Sequence, residues 1–119
     1  MQPTAQSLVP FSFYSGQISG SDLTIDLNDS YDHIITWLSL GAGPVGSGYR
    51  YAILGSPING EIWATEVVAD SGGNYGVQVP LWIVLQQLGT VSFTSNLTDP
   101  WLGVYGYRLN PPGATLYGV

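Results

Sequence analysis

Glycine and proline punctuate this chain along its whole length, sixteen and eight of them among 119 residues. Inside a helix a glycine costs about 1 kcal/mol and a proline about 3 kcal/mol relative to alanine. Their even spread therefore works against helices of ordinary length. Between them lie short segments rich in β-branched and aromatic side chains, which fit a pleated, half-buried surface. The chain reads as all-β. Strands are expected at Leu8–Tyr14, Leu23–Leu27, Ile34–Leu40, Tyr49–Leu54, Glu61–Val68, Tyr75–Val79, Thr90–Ser95 and Leu102–Leu109. Leu81–Leu88 follows Pro80 and suits either a buried strand or a short helical turn opened by the proline.

Alternation supports several of these segments, because successive side chains of a strand point to opposite faces. Leu23, Ile25 and Leu27 oppose Asp22, Thr24 and Asp26. Leu102, Val104, Gly106 and Arg108 share one side of the last segment, and Gly103, Tyr105, Tyr107 and Leu109 share the other. Turn chemistry separates the segments at Asn59-Gly60, Ser71-Gly-Gly-Asn74 and Pro111-Pro-Gly113, and Gly41 to Gly48 reads as a long connection. About eight antiparallel strands in a chain of one-domain length predict a single-domain jelly roll or β-sandwich over residues 1–119. Residues 1–7 and 110–119 read as arms, whose apolar neighbours and members (Val9, Leu116, Tyr117, Val119) suit packing on something else.

Charge narrows the partners. Eight carboxylates, Arg50 and Arg108 make up 8% of the chain, where about 25% is ordinary. There is no lysine, and the net charge is −6. Two arginines far apart in sequence cannot neutralise a run of phosphates or hold an anionic lipid surface, so neither nucleic acid nor a membrane is expected as a partner. The longest apolar run, Leu81 to Leu85, is too short to span a bilayer, and the first ten residues do not read as a signal peptide. Without cysteine there is no disulfide, thiolate chemistry or cysteine-held metal, and no cofactor is expected.

The residues available for catalysis are few. His33 is the only histidine, flanked by Asp29 and Asp32, and no Gly-x-Ser-x-Gly elbow marks a nucleophile. The expectation is a histidine at the start of a strand, hydrogen-bonded to a loop, and no enzymatic activity. A glycosidase pair would have to come from Glu61, Glu66, Asp70 and Asp99. Glu61 and Glu66 have opposite parity, so an unbulged strand would point them to opposite faces. Asp26, Asn28, Ser30 and Asp32 imitate the opening of an EF-hand calcium loop, but Tyr31 and Trp37 stand where glycine and glutamate belong. A polar turn explains the spacing, and no metal is expected. Asn28-Asp-Ser30 and Asn96-Leu-Thr98 fit the glycosylation acceptor pattern and fall at turns.

Fifteen aromatic residues complete the picture. Phe11, Phe13, Trp37 and Phe93 sit inside apolar segments and are expected in the core. Tyr31, Tyr49, Tyr51, Tyr75, Trp101, Tyr105, Tyr107 and Tyr117 lie beside polar or glycine positions. Tyrosine and tryptophan dominate protein–protein hot spots, where lysine and glutamate are depleted. This chain carries both the enrichment and the depletion. Tyr49, Tyr51, Trp101, Tyr105, Tyr107 and Tyr117 are the candidate interface residues, and a surface so poor in charge suits a homo-oligomer or a subunit of a larger assembly. The alternative is a carbohydrate-binding module or lectin, with Trp101, Tyr105 and Tyr107 on one edge, Asp99 nearby and a glycan as partner.

In the second half, Asn59-Gly60 leads into Glu61-Ile-Trp-Ala-Thr-Glu-Val-Val68 and then Tyr75-Gly-Val-Gln-Val-Pro80. A short apolar segment follows, then Gly89-Thr-Val-Ser-Phe-Thr-Ser95 and a last strand ending in Tyr107-Arg-Leu-Asn110. That rhythm resembles the closing strands of small jelly-roll proteins of virus particles, the decoration (cement) and vertex or minor capsid proteins of bacteriophages. The resemblance covers about half the chain and brings no catalytic residue. It implies a structural virion protein on the outer capsid surface, with the major capsid protein or other shell subunits as partners.

Overall fold

The computed structural model describes residues 7–45, 48–56, 60–68, 73–111 and 113–114. Eight strands follow one another: β1 (Ser7–Gln17), β2 (Leu23–Asp26), β3 (His33–Ala42), β4 (Tyr51–Ser56), β5 (Gly60–Glu66), β6 (Tyr75–Leu85), β7 (Thr90–Ser95) and β8 (Trp101–Asn110). They form two four-stranded antiparallel sheets, one in the order β1-β8-β3-β6 and the other in the order β2-β7-β4-β5. Strand pairs β1·β8, β2·β7, β3·β6 and β4·β5 run through the whole chain, so it is one long hairpin doubled back between β4 and β5. Rolling that hairpin up brings β3 beside β8 and β4 beside β7. The product is the expected β-sandwich, wound as a jelly roll.

The inner faces meet in one core. Ile35, Leu38, Leu40, Leu102 and Val104 of the first sheet pack with Ala52, Leu54, Val91 and Phe93 of the second, all of them buried. The alternation expected in β2 and β8 holds in the registers, with Leu23 opposite Phe93 inside and Thr24 opposite Ser92 outside.

Where expectation and structure part, a bulge is the usual cause, because one extra residue reverses the side-chain parity beyond it. In β3 the register slips between Ile35 and Trp37 against both neighbouring strands. Ile35, Leu38 and Leu40 therefore share the inner face, and Trp37, expected in the core, stands on the outer one. A second slip in β1, between Ser12 and Tyr14, turns both Phe13 and Tyr14 toward the core. A third, opposite Leu54 and Gly55, inserts Ile62 into β5.

Most segment ends shift by one to three residues, and two changes matter to the architecture. Pro80 opens no helical turn: β6 continues through it to Leu85, and only Gln87 and Leu88 form a turn. An edge strand accommodates a proline because one side of its backbone needs no ladder partner. Ser7 and Asn110, placed in the arms by their sequence, pair with each other and close the β1·β8 ladder. The rest of the N-terminal arm lies outside the described residues, as do Pro112 and residues 115–119 with Leu116, Tyr117 and Val119.

Candidate functional site: two outer faces of opposite chemistry

Each sheet turns one face to the core and one away from it. In the four strands of the first sheet, His33 and Arg108 are the only side chains that can carry charge near neutral pH, and both have inward parity. The outer face is charge-free. One row across it, set by the registers, reads Ser12, Tyr105, Trp37, Pro80; the next reads Pro10, Tyr107, Ile34, Val84. Leu8, Trp37, Trp82, Trp101 and Tyr107 on this face are all more than a third exposed, Trp82 at 57% and Trp101 at 58%. Singly exposed apolar residues are ordinary; here Leu8, Tyr107, Trp37 and Trp82 lie on adjoining rows, and the row Ser15, Gly103, Ser39, Gln78 separates them from Trp101.

Local packing sets the aromatic rings. The Tyr105 ring lies back over Gly103, where a Cβ would meet it at 2.6 Å, and its hydroxyl is 2.9 Å from that of Ser15. Trp101 stands beside Gly41 and Gly76, which leave its β3 and β6 side open, and Ser39, Leu40, Val77 and Gln78 complete a shallow trough of about 560 Å³. Both edge strands of this sheet carry a proline, Pro10 in β1 and Pro80 in β6, which removes donors from edges that would otherwise pair with another chain.

The second sheet's outer face is different. It carries Thr24, Asp26, Thr90, Ser92, Thr94, Tyr51, Ile53, Glu61, Ala64 and Glu66 by register. Glu61 and Glu66, expected on opposite faces of an unbulged strand, share this one, because Ile62 is the extra residue of a bulge. Register places Glu66 opposite Tyr51 and Glu61 opposite Gly55. Tyr49 and Tyr51 stack with ring centroids 6.0 Å apart and planes 27° from parallel. Asn96 holds their backbone: its Oδ1 accepts from Tyr51 N–H at 2.9 Å and its Nδ2 donates to the Tyr49 carbonyl at 2.8 Å. The acceptor-pattern asparagine is thus a structural clamp.

The candidate site residues therefore divide. Trp101, Tyr105 and Tyr107 share the first sheet's outer face, Tyr49 and Tyr51 lie on the opposite side of the molecule, and Tyr117 lies outside the described residues. Trp82, not singled out by the sequence, and Trp37, expected in the core, join the first sheet's outer face. Trp82 could have been found by running the β6 alternation through Pro80; Trp37 could not without knowledge of the bulge.

Asp99 does not support a sugar site beside Trp101. Its Oδ1 accepts from Gly20 N–H at 2.6 Å, its carbonyl accepts from Gln17 Nε2 at 3.0 Å, and its backbone has φ +46°. The carboxylates of the imagined calcium loop serve the fold: Asp26 accepts from Thr90 Oγ1, Asp29 from Tyr31 N–H and Asp32 from Gln87 N–H.

His33 opens β3 as expected and faces the loop that carries Asp29 and Tyr31. It is fully buried between the rings of Phe11 and Phe13 and beside Tyr31. Its Nε2 lies 3.4 Å from Asp29 Oδ2 without hydrogen-bond geometry, and among the described residues neither ring nitrogen has a hydrogen-bond partner. Burial lowers its pKa, against the opposing pull of the Asp29 carboxylate. Arg108 lies nearby with its guanidinium carbon 4.4 Å from the centre of the Tyr31 ring.

No protein-family model matches this chain, and no curated protein matches it. Among solved structures it is similar to the core of Drosophila NLP, a crystal structure described as giving insight into pentamer formation and histone binding. The match covers 82% of this chain and 98% of that one, with 15% sequence identity and a TM-score of 0.43.

Proposed function

We propose that this chain is a structural subunit of a virus shell, a capsid decoration or minor capsid protein that docks through the outer face of its first sheet. The observation that carries the reading is the sidedness of the sandwich. One outer face holds three tryptophans and two tyrosines with no charge, and the other holds Asp26, Glu61 and Glu66. The charge-free face is the one that belongs against the shell. The virion setting rests on the rhythm of the closing strands, and the low cationic content agrees with a protein that does not touch packaged genome.

Burial of apolar surface would supply the affinity. About 800 Å² per partner, some 60% of it apolar, gives a gross gain of about 12 kcal/mol at about 25 cal/mol per Å² before association costs. Repetition over a symmetric shell adds avidity. The test is co-sedimentation of the purified chain with shells assembled from the major capsid protein of the same virus. The chain should pellet with the shells, also at 1 M NaCl, and Trp37→Asp/Trp82→Asp should stay in the supernatant. A chain that remains monomeric and ignores the shells overturns the reading.

A second reading, a glycan platform, is favoured by one feature: the trough in which Trp101 stands beside Gly41, Gly76, Ser39 and Gln78. Binding to a glycan array that Trp101→Ala abolishes and Trp82→Asp leaves intact would select it.

A further inference from the structure

We propose that the groove between β4 and β5, on the acidic outer face, binds basic side chains of a second protein, two arginines of an extended segment. This inference stands apart from the docking reading, since it concerns the opposite side of the molecule. Tyr49, Tyr51, Ile53, Glu61, Ala64, Thr65 and Glu66 line a groove of about 470 Å³. The bulge at Ile62 puts both carboxylates into it, and the Asn96 clamp fixes the stacked tyrosines at one end.

The lining selects for cations. A carboxylate accepts hydrogen bonds and donates none, the Thr65 hydroxyl is already committed to the Glu66 carbonyl, and no basic residue lines the groove. The faces of Tyr49 and Tyr51 attract a guanidinium through the ring quadrupole, and Glu66, paired opposite Tyr51, supplies the counter-charge. Arginine fits better than lysine because its planar group stacks on a ring while its edge meets a carboxylate.

Spacing sets the form of the ligand. Tyr51 and Gly55, the register partners of Glu66 and Glu61, are four residues apart on β4, about 13 Å at 3.3 Å per residue. The two glutamates therefore stand at separate points along the groove. Two arginines four positions apart in an extended peptide share a side and span the same distance. This chain cannot supply them itself. It has no lysine, Arg108 has inward parity and lies over Tyr31, and Arg50 donates to the Asn96 carbonyl at 3.4 Å. The occupant is a different protein.

The test is a titration of the ¹⁵N-labelled chain with the peptide acetyl-Arg-Gly-Ser-Gly-Arg-amide, followed by amide chemical shifts at 150 mM NaCl. Saturable shifts should centre on Tyr49, Tyr51, Glu61 and Glu66. The same peptide with citrulline for both arginines should bind about tenfold more weakly or worse. Glu66→Gln and Tyr51→Leu should each weaken binding at unchanged thermal midpoint, whereas Asp26→Asn, on the same face outside the groove, should not. No saturable shift, equal response to the citrulline peptide, or shifts spread over Asp22, Asp26 and Asp99 would overturn the proposal. So would binding of a neutral oligosaccharide in the groove that displaces the peptide.

Discussion

Gly106 on β8 presses against the Ile34 carbonyl on β3 so closely that no Cβ atom fits between them. The contact lies beside the β3 bulge, where backbone rather than side chain faces the glycine. Gly106→Ala must therefore move one strand of the first sheet. It should cost about 3 kcal/mol or more in urea denaturation. At Gly103 a Cβ meets only the Tyr105 ring, which can swing away, so Gly103→Ala should cost about 1 kcal/mol or less. Equal costs would mean that the approach of β8 to β3 is looser than described.

The buried His33 makes stability depend on pH. Its folded-state pKa lies below the ordinary value of about 6.5, so the unfolded chain takes up the proton first. Stability from this group is complete above about pH 6.5 and is lost as pH falls below it. The thermal midpoint should fall between pH 7.5 and pH 5.5, and His33→Leu should flatten that slope. A slope unchanged in the variant would assign the effect to other groups.

Asn96 offers a test of how the stacked tyrosines are held. Asn96→Ala removes both hydrogen bonds to the Tyr49–Tyr51 backbone and should destabilise the fold by about 1–2 kcal/mol. It should also weaken the arginine peptide, although Asn96 does not line the groove. Asn96→Asp, which keeps the acceptor for Tyr51 and loses the donor for Tyr49, should fall between the two. Peptide affinity indifferent to Asn96→Ala would detach the groove from the clamp.

Much of this architecture was legible in the residues. Alternation in Leu23–Leu27 and Leu102–Leu109 gave the correct inner and outer sides, and the segment Thr90–Ser95 matches β7 at both ends. The reversals of side that stayed hidden share one physical source. A bulge adds a residue without any local signal in composition, and it reverses every side chain beyond it. Trp37 was assigned inward and Glu61 and Glu66 to opposite faces for that reason alone. Strand pairing was hidden too, since only the assembled register shows that β1, β3, β6 and β8, none of which carries a carboxylate, lie side by side.

The central claim is that protein covers the charge-free face in the native assembly. Hydroxyl-radical footprinting measures this directly, by comparing the isolated chain at low micromolar concentration with the same chain in its purified particle. Trp37, Trp82 and Tyr107 should be strongly modified in the isolated chain and protected in the particle, while Tyr49, on the acidic face, should react in the isolated chain and keep its place outside the protected patch. Modification of Trp37 and Trp82 at the same rate in both states would contradict the account.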